Sequence, residues 1–161
     1  MANEILGVII LILSTVGSTI NITNIIGSFK SGILQKENNI FLANLMITDF
    51  MFTLVPFPVM GISQFTDYIK TNKLFCEVWG WTIVTTGWTS FIFTALIGYN
   101  RYMYICKSQQ YPKIFTRKSQ YYMCAIAWSI SIISNSMALI PNNGYFSEIV
   151  YDDLLQVNAN Q

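Results

Sequence analysis

Apolar side chains along this chain gather into four stretches from which charge is nearly absent. Residues 5–29 carry no charged side chain, 38–66 carry only Asp49, and 78–100 and 119–147 carry none. Each is at least as long as the ~20 apolar residues a helix needs to cross a hydrocarbon core about 30 Å thick. The stretches are too long for barrel strands and do not alternate, and lipid admits only helices or closed barrels. The pattern therefore predicts an all-α membrane protein with four transmembrane helices, near 5–29, 39–66, 74–105 and 119–140. Residues 1–141 would form one transmembrane bundle, and 142–161 a polar tail outside the membrane. Pro56 and Pro58 should kink the outer half of the second helix, because neither supplies the amide proton of the helical ladder. The third helix is long enough to tilt through the bundle.

Composition agrees. Of 161 residues, 53% are apolar, only 11% are charged, and His is absent, whereas soluble domains carry about 25% charged residues. A net charge of +1 points to no nucleic-acid partner. A cleaved secretion signal is the competing account of the first stretch. The segment before it holds Glu4 and no Lys or Arg, the reverse of a signal's basic start. Lys30, Lys36, Arg101, Lys107, Lys113, Arg117 and Lys118 fall on one side of the membrane, against Lys70 and Lys73 on the other. The basic side should be cytoplasmic, which places the N-terminus outside at the plasma membrane. Glu4, Asp67, Glu77, Glu148, Asp152 and Asp153 then all lie outside.

The polar residues within the spans share a depth. Counted from the inner surface at ~1.5 Å per residue, Asn21, Asp49, Ser90 and Trp128 sit roughly 13–17 Å deep. A lone mid-membrane carboxylate costs about 2.5–3.5 kcal/mol on insertion scales. Asp49 therefore needs partners or a cation, and Asn21 and Ser90 lie at its level. The functional account is an ion or proton site that distinguishes conformations; the structural one is a hydrogen-bonded staple between helices. The sequon Asn21-Ile22-Thr23 lies inside the first span, out of reach of glycosylation.

These marks together resemble the rhodopsin-like (class A) G-protein-coupled receptors. Asn21 precedes Asp49 by 28 positions (49 − 21), Cys76 precedes Arg101 by 25 (101 − 76), and Trp128 follows Arg101 by 27 (128 − 101). Leu42-Ala43-Asn44-Leu45 before Asp49 looks like the family's second-helix signature. Asn100-Arg101-Tyr102 looks like its Asp/Glu-Arg-Tyr motif, and Trp128 like its fourth-helix tryptophan. Within that family, Asn39-Ile40-Phe41, Pro56-Phe57-Pro58 and the run from Asn100 to Ser108 followed by Tyr111 resemble melatonin receptors. The resemblance implies the first half of a seven-helix bundle. It assigns G-protein coupling to Asn100, Arg101 and Tyr102, and a sodium site to Asp49 and Ser90 near Asn21. Cys76 would form a disulfide to the loop after the fourth helix, where residues 142–161 begin the second extracellular loop. No Cys follows Cys124, so that partner is absent from this chain. Receptor dimerisation is a further expectation.

For the ligand, the resemblance places Ile83, Val84 and Gly87 on the pocket wall, with Asn142 beyond Pro141 as a weaker candidate. Residues 78–90 contain no acid to hold an ammonium. A neutral, flat, apolar ligand such as a melatonin-like indole fits better than a cationic amine. Half a receptor should not signal alone. The alternative is an unrelated four-span transporter subunit or scaffold with Asp49 as an ion relay. With no His, no Cys/His cluster, no Gly-rich phosphate loop and no paired carboxylates, nothing supports an enzyme, and no resident cofactor is expected beyond the sodium ion.

Overall fold

The computed structural model describes residues 2–32, 39–66 and 73–136. They form α1 (Ala2–Lys30), α2 (Ile40–Leu54), α3 (Pro56–Ile62), α4 (Lys73–Cys106), α5 (Tyr111–Ile114) and α6 (Arg117–Ser136). The helices agree with the charge-free stretches to within a few residues at most ends. Three are long and apolar enough to cross a membrane: Glu4–Lys30, Ile40–Ile62 and Glu77–Cys106. α6 lies where the fourth span is expected, but it opens on Arg117 and Lys118 and carries four serines and Asn135 in its second half. It is not among the three. Residues 137–140 and the tail 142–161 lie outside the described residues.

The second span is two helices. Val55, at φ −116° and ψ −67°, separates α2 from α3. Pro56 and Pro58 have no amide proton to continue the ladder across it. Backbone bonds Val55 N to Met51 O (3.2 Å) and Val59 N to Val55 O (3.3 Å) keep the halves joined. From α4, the Trp79 indole N–H donates to the Pro56 carbonyl at 3.0 Å, bracing the break.

α2 lies at the centre, packed on α1, α4 and α6. α1 approaches through small residues. A methyl group added at Gly61 would stand 2.7 Å from Leu11 Cγ and 3.3 Å from the Gly7 carbonyl oxygen. Only hydrogen atoms permit that closeness, the usual device for drawing helices together in lipid. One turn further along, Ser14 Oγ donates to the Thr53 carbonyl at 2.8 Å. The outward faces are apolar: Ile5, Ile12, Val16, Ile20 and Phe91 are exposed. Lipid is their solvent, since a soluble protein does not expose so continuous an apolar surface.

The buried core gathers at the end of the bundle that holds Arg101. Phe41, Phe93, Met103, Phe115, Cys124 and Ala127 interlock α2, α4 and α6. Phe115, just past α5, meets the rings of Phe41, Tyr99 and Tyr111 at centroid distances of 6.2, 5.6 and 5.1 Å. The connection after α4 is therefore folded and seated. Hydrophobic periodicity did not predict it, because α5 has only four residues.

Candidate functional site

Two polar clusters occupy the bundle. In the first, Ser90 Oγ on α4 donates to Asp49 Oδ1 on α2 at 2.8 Å. Ser90 Oγ also lies 3.0 Å from Thr48 Oγ1. A hydroxyl has one proton, and an ionised carboxylate is the stronger acceptor, so Ser90 accepts from Thr48 when Thr48 is not donating to Leu45 O (2.8 Å). Asn21 does not reach the carboxylate. Its Nδ2 donates to Thr53 Oγ1 at 3.4 Å, and Thr53 Oγ1 in turn donates to the Asp49 or Phe50 backbone carbonyl. The expected triad is thus a direct pair with Asn21 one turn of helix away. Beside the pair runs a cavity of about 360 Å³ lined by Leu45, Asp49, Phe52, Gly87, Ser90, Phe91 and Thr94.

Gly87, expected on a ligand wall, therefore borders the carboxylate. Ile83 and Val84 are half-buried one turn further toward the start of α4, and neither lines this cavity. Asn142 and the Cys76 side chain lie outside the described residues. Among the described residues, no three His, Cys, Asp or Glu side chains converge to hold a metal ion.

The second cluster closes the C-terminal end of α4. Asn100 is half-buried, while Arg101 and Tyr102 are exposed. The Tyr111 hydroxyl donates to Asn100 Oδ1 at 2.9 Å, so the Asn100 amide oxygen faces the loop helix α5. Arg101 borders a cavity of about 220 Å³ lined also by Asn39, Leu42, Ile97, Asn100, Tyr104, Ile105 and Tyr111. Tyr111 stacks on Phe115 at 14° between ring planes and takes the edge of Tyr104 at 5.3 Å. Burial, and then the neighbouring Tyr104, push the Tyr111 phenol above its ordinary pKa. The Asn100 amide, which can turn Nδ2 toward a phenolate, pulls the other way.

Between the clusters, Trp128 Nε1 donates to Asn44 Oδ1 at 3.1 Å. Asn44 Nδ2 donates to the Ile40 carbonyl at 2.9 Å and touches Cys124 Sγ at 3.5 Å. Phe93 meets the indole edge-on at 6.2 Å. Trp128, expected as a structural residue, thus bonds across helices, and its partner is an asparagine that the charge pattern alone does not mark.

A bundle of apolar helices with a carboxylate between two spans and an arginine at one end is a multi-pass membrane protein. Residues 20–148 match the model of the 7 transmembrane receptor (rhodopsin family), and the chain belongs to that family. It is similar to melatonin receptor type 1C of Xenopus laevis, 29% identical over 122 residues, which are 76% of this chain and 28% of that receptor. It is also similar to melatonin receptor type 1A of Gallus gallus, 26% identical over 76% of this chain and 33% of that receptor. The GQ-coupled rhodopsin of Mizuhopecten yessoensis is 30% identical over 80% of this chain and 26% of that protein. The chain thus spans about a quarter to a third of the length of these relatives. All of them are receptors rather than enzymes, and the match removes support for an unrelated four-span protein.

Proposed function

We propose that this chain is the first four helices, α6 being the fourth, of a receptor that senses an extracellular, neutral small molecule and activates a heterotrimeric G protein. The observation that carries this reading is the inner end of α4. Arg101 stands exposed beside a cavity between α2, α4 and α5, while its neighbour Asn100 is occupied by Tyr111. An asparagine cannot neutralise the guanidinium as a carboxylate would, so Arg101 is available to a partner on the cytoplasmic side. The similarity to melatonin receptors and the acid-free outer half of α4 favour a flat, uncharged ligand of indole type. The N-terminus is then extracellular. Signalling belongs to the seven-helix receptor, because a ligand acts only by binding two conformations differently. In the full-length receptor carrying this stretch, Arg101→Ala should abolish nucleotide exchange on the G protein and leave surface expression intact. Exchange at wild-type levels would remove the role assigned to Arg101.

A sodium ion beside Asp49 is the second part of the proposal. Asp49 Oδ1 and Ser90 Oγ are hard oxygen ligands 2.8 Å apart on two helices, next to a cavity large enough for an ion and its waters. They fit a monovalent cation, with Asn21 acting at one remove through Thr53. Bound there, the ion would neutralise the carboxylate. Asp49→Asn should then make agonist affinity insensitive to sodium, and an undiminished sodium response would leave the pair a structural staple.

A further inference from the structure

Gln120 is wholly buried in the first turn of α6, a depth unusual for its residue type. Its Nε2 donates to the backbone carbonyl of Phe115 at 3.1 Å, while its Oε1 is buried with no hydrogen-bond partner. An apolar side chain of the same length would fill this position without leaving a buried acceptor unsatisfied. What glutamine alone adds is the donor, and the donor serves one atom, the carbonyl at the end of α5.

That atom matters because α5 has no stability of its own. Four residues are far below the length at which a helix persists in isolation, and no side chain caps its start at Gln110. Its chain leaves the helical conformation at Phe115, φ −97° and ψ 51°, where the carbonyl would otherwise be buried without a donor. What fixes it is the Tyr111 hydroxyl on Asn100 with the Tyr104 ring against Tyr111, the Phe115 ring among Phe41, Tyr99 and Tyr111, and the Gln120 amide on the Phe115 carbonyl. Tyr111 ties the start of α5 to α4, and Gln120 ties its end to α6. We infer that Gln120 is a positioning residue for coupling: from inside the bundle it fixes the orientation in which α5 is presented beside Arg101 to the G protein. This rests on the receptor reading above, which assigns that face to the G protein.

The test separates the two. In lipid nanodiscs, amide hydrogen exchange is followed at Tyr111, Ile114 and Phe115, whose N–H groups bond to the Lys107, Gln110 and Tyr111 carbonyls. Gln120→Met should speed exchange there about fivefold or more, as expected for the loss of one neutral hydrogen bond, and leave residues 123–136 unchanged. In the full-length receptor, the same variant should raise the G-protein concentration giving half-maximal exchange by a similar factor. Maximal rate and ligand affinity measured without G protein should stay as in wild type. Unchanged exchange at 111–115 overturns the clamp whatever the receptor does. Faster exchange at 111–115 with unaltered coupling overturns the positioning role while leaving the receptor reading intact. Uniformly faster exchange through 123–136 shows a merely structural glutamine and also overturns the inference. If Arg101→Ala leaves coupling intact, the receptor reading fails separately, and the exchange data still judge the clamp.

Discussion

Asp49 and Asn100 are both polar side chains that bond across helices, one deep within a span and one at its rim. Asp49 accepts a hydrogen bond from the Ser90 hydroxyl, a charge-assisted bond between α2 and α4, with Thr48 beside the serine and Asn21 at one remove through Thr53. Asn100 carries no charge and accepts from a phenol that is itself stacked on one ring and abutted by another. In low dielectric a single charge-assisted bond is strong, and its loss is felt in full because, among the described residues, no second side chain donates to the carboxylate. The rim cluster divides its hold among several weak contacts, so single deletions should be graded by how many contacts each removes.

Phe115→Ala should have the largest effect. Its ring meets Phe41, Tyr99 and Tyr111 together and is almost fully buried. Truncating such a side chain costs about 3–5 kcal/mol. Unfolding in mixed detergent should show it, and a loss below about 1 kcal/mol would mean that the rim cluster is not centred on this ring.

Ser90→Ala comes next and tests the other side of the comparison. It removes the donor to Asp49 and should destabilise by about 1.5–3 kcal/mol, the range for hydrogen bonds to charged groups. Adding Asp49→Asn to Ser90→Ala should recover part of that loss, because an uncharged amide tolerates the missing donor better than a carboxylate. Additive losses in the double variant would show that the two side chains act independently.

How far each cluster was legible in the sequence follows the same division. Asp49 is the only charge in residues 38–66, and such an exception to a long apolar pattern marks itself. Its depth, computed from helical rise, matched it to Ser90, and the bond is there. Depth alone could not separate Asn21 from Asp49, because it ignores where on the helix face a side chain points; Asn21 meets Thr53 instead. The break at Val55 was legible because proline acts locally. The rim cluster was legible only in part: Asn100, Arg101 and Tyr111 stood in the run that resembles melatonin receptors, but α5 is too short to show periodicity, and Phe115 and Gln120 join them only through the chain reversal between α4 and α6. Asn44 likewise stands among apolar neighbours without any signal of which tryptophan it would meet.

That Asn44–Trp128 pair provides an intermediate case, a neutral hydrogen bond inside the bundle. Trp128→Phe keeps an aromatic ring against Phe93 and deletes the donor to Asn44 Oδ1. It should cost about 0.5–1.5 kcal/mol for the hydrogen bond, plus a smaller packing loss. A cost equal to that of Ser90→Ala would erase the distinction between charged and neutral bonds on which the comparison rests.

The smallest effect expected concerns pH, and it touches only the rim. The Tyr111 hydroxyl must keep its proton to donate to Asn100, and burial raises its pKa above the ordinary tyrosine value, with Tyr104 adding to the rise. A phenol whose folded pKa is raised lends stability that is complete below the unfolded value of about 10 and is lost as pH climbs through the folded value. Between pH 6 and 9 the bond should therefore be constant, because neither Tyr111 nor the uncharged Asn100 titrates there. Above about pH 10, amide exchange at 111–115 should rise in the wild type. Tyr111→Phe should start from faster exchange and show no added step at that pH beyond the intrinsic base-catalysed increase. Had an aspartate stood at position 100, the same bond would also have responded at acid pH. A step in exchange at 111–115 between pH 4 and 6 in this protein would mean that a group other than the phenol governs the seating of α5.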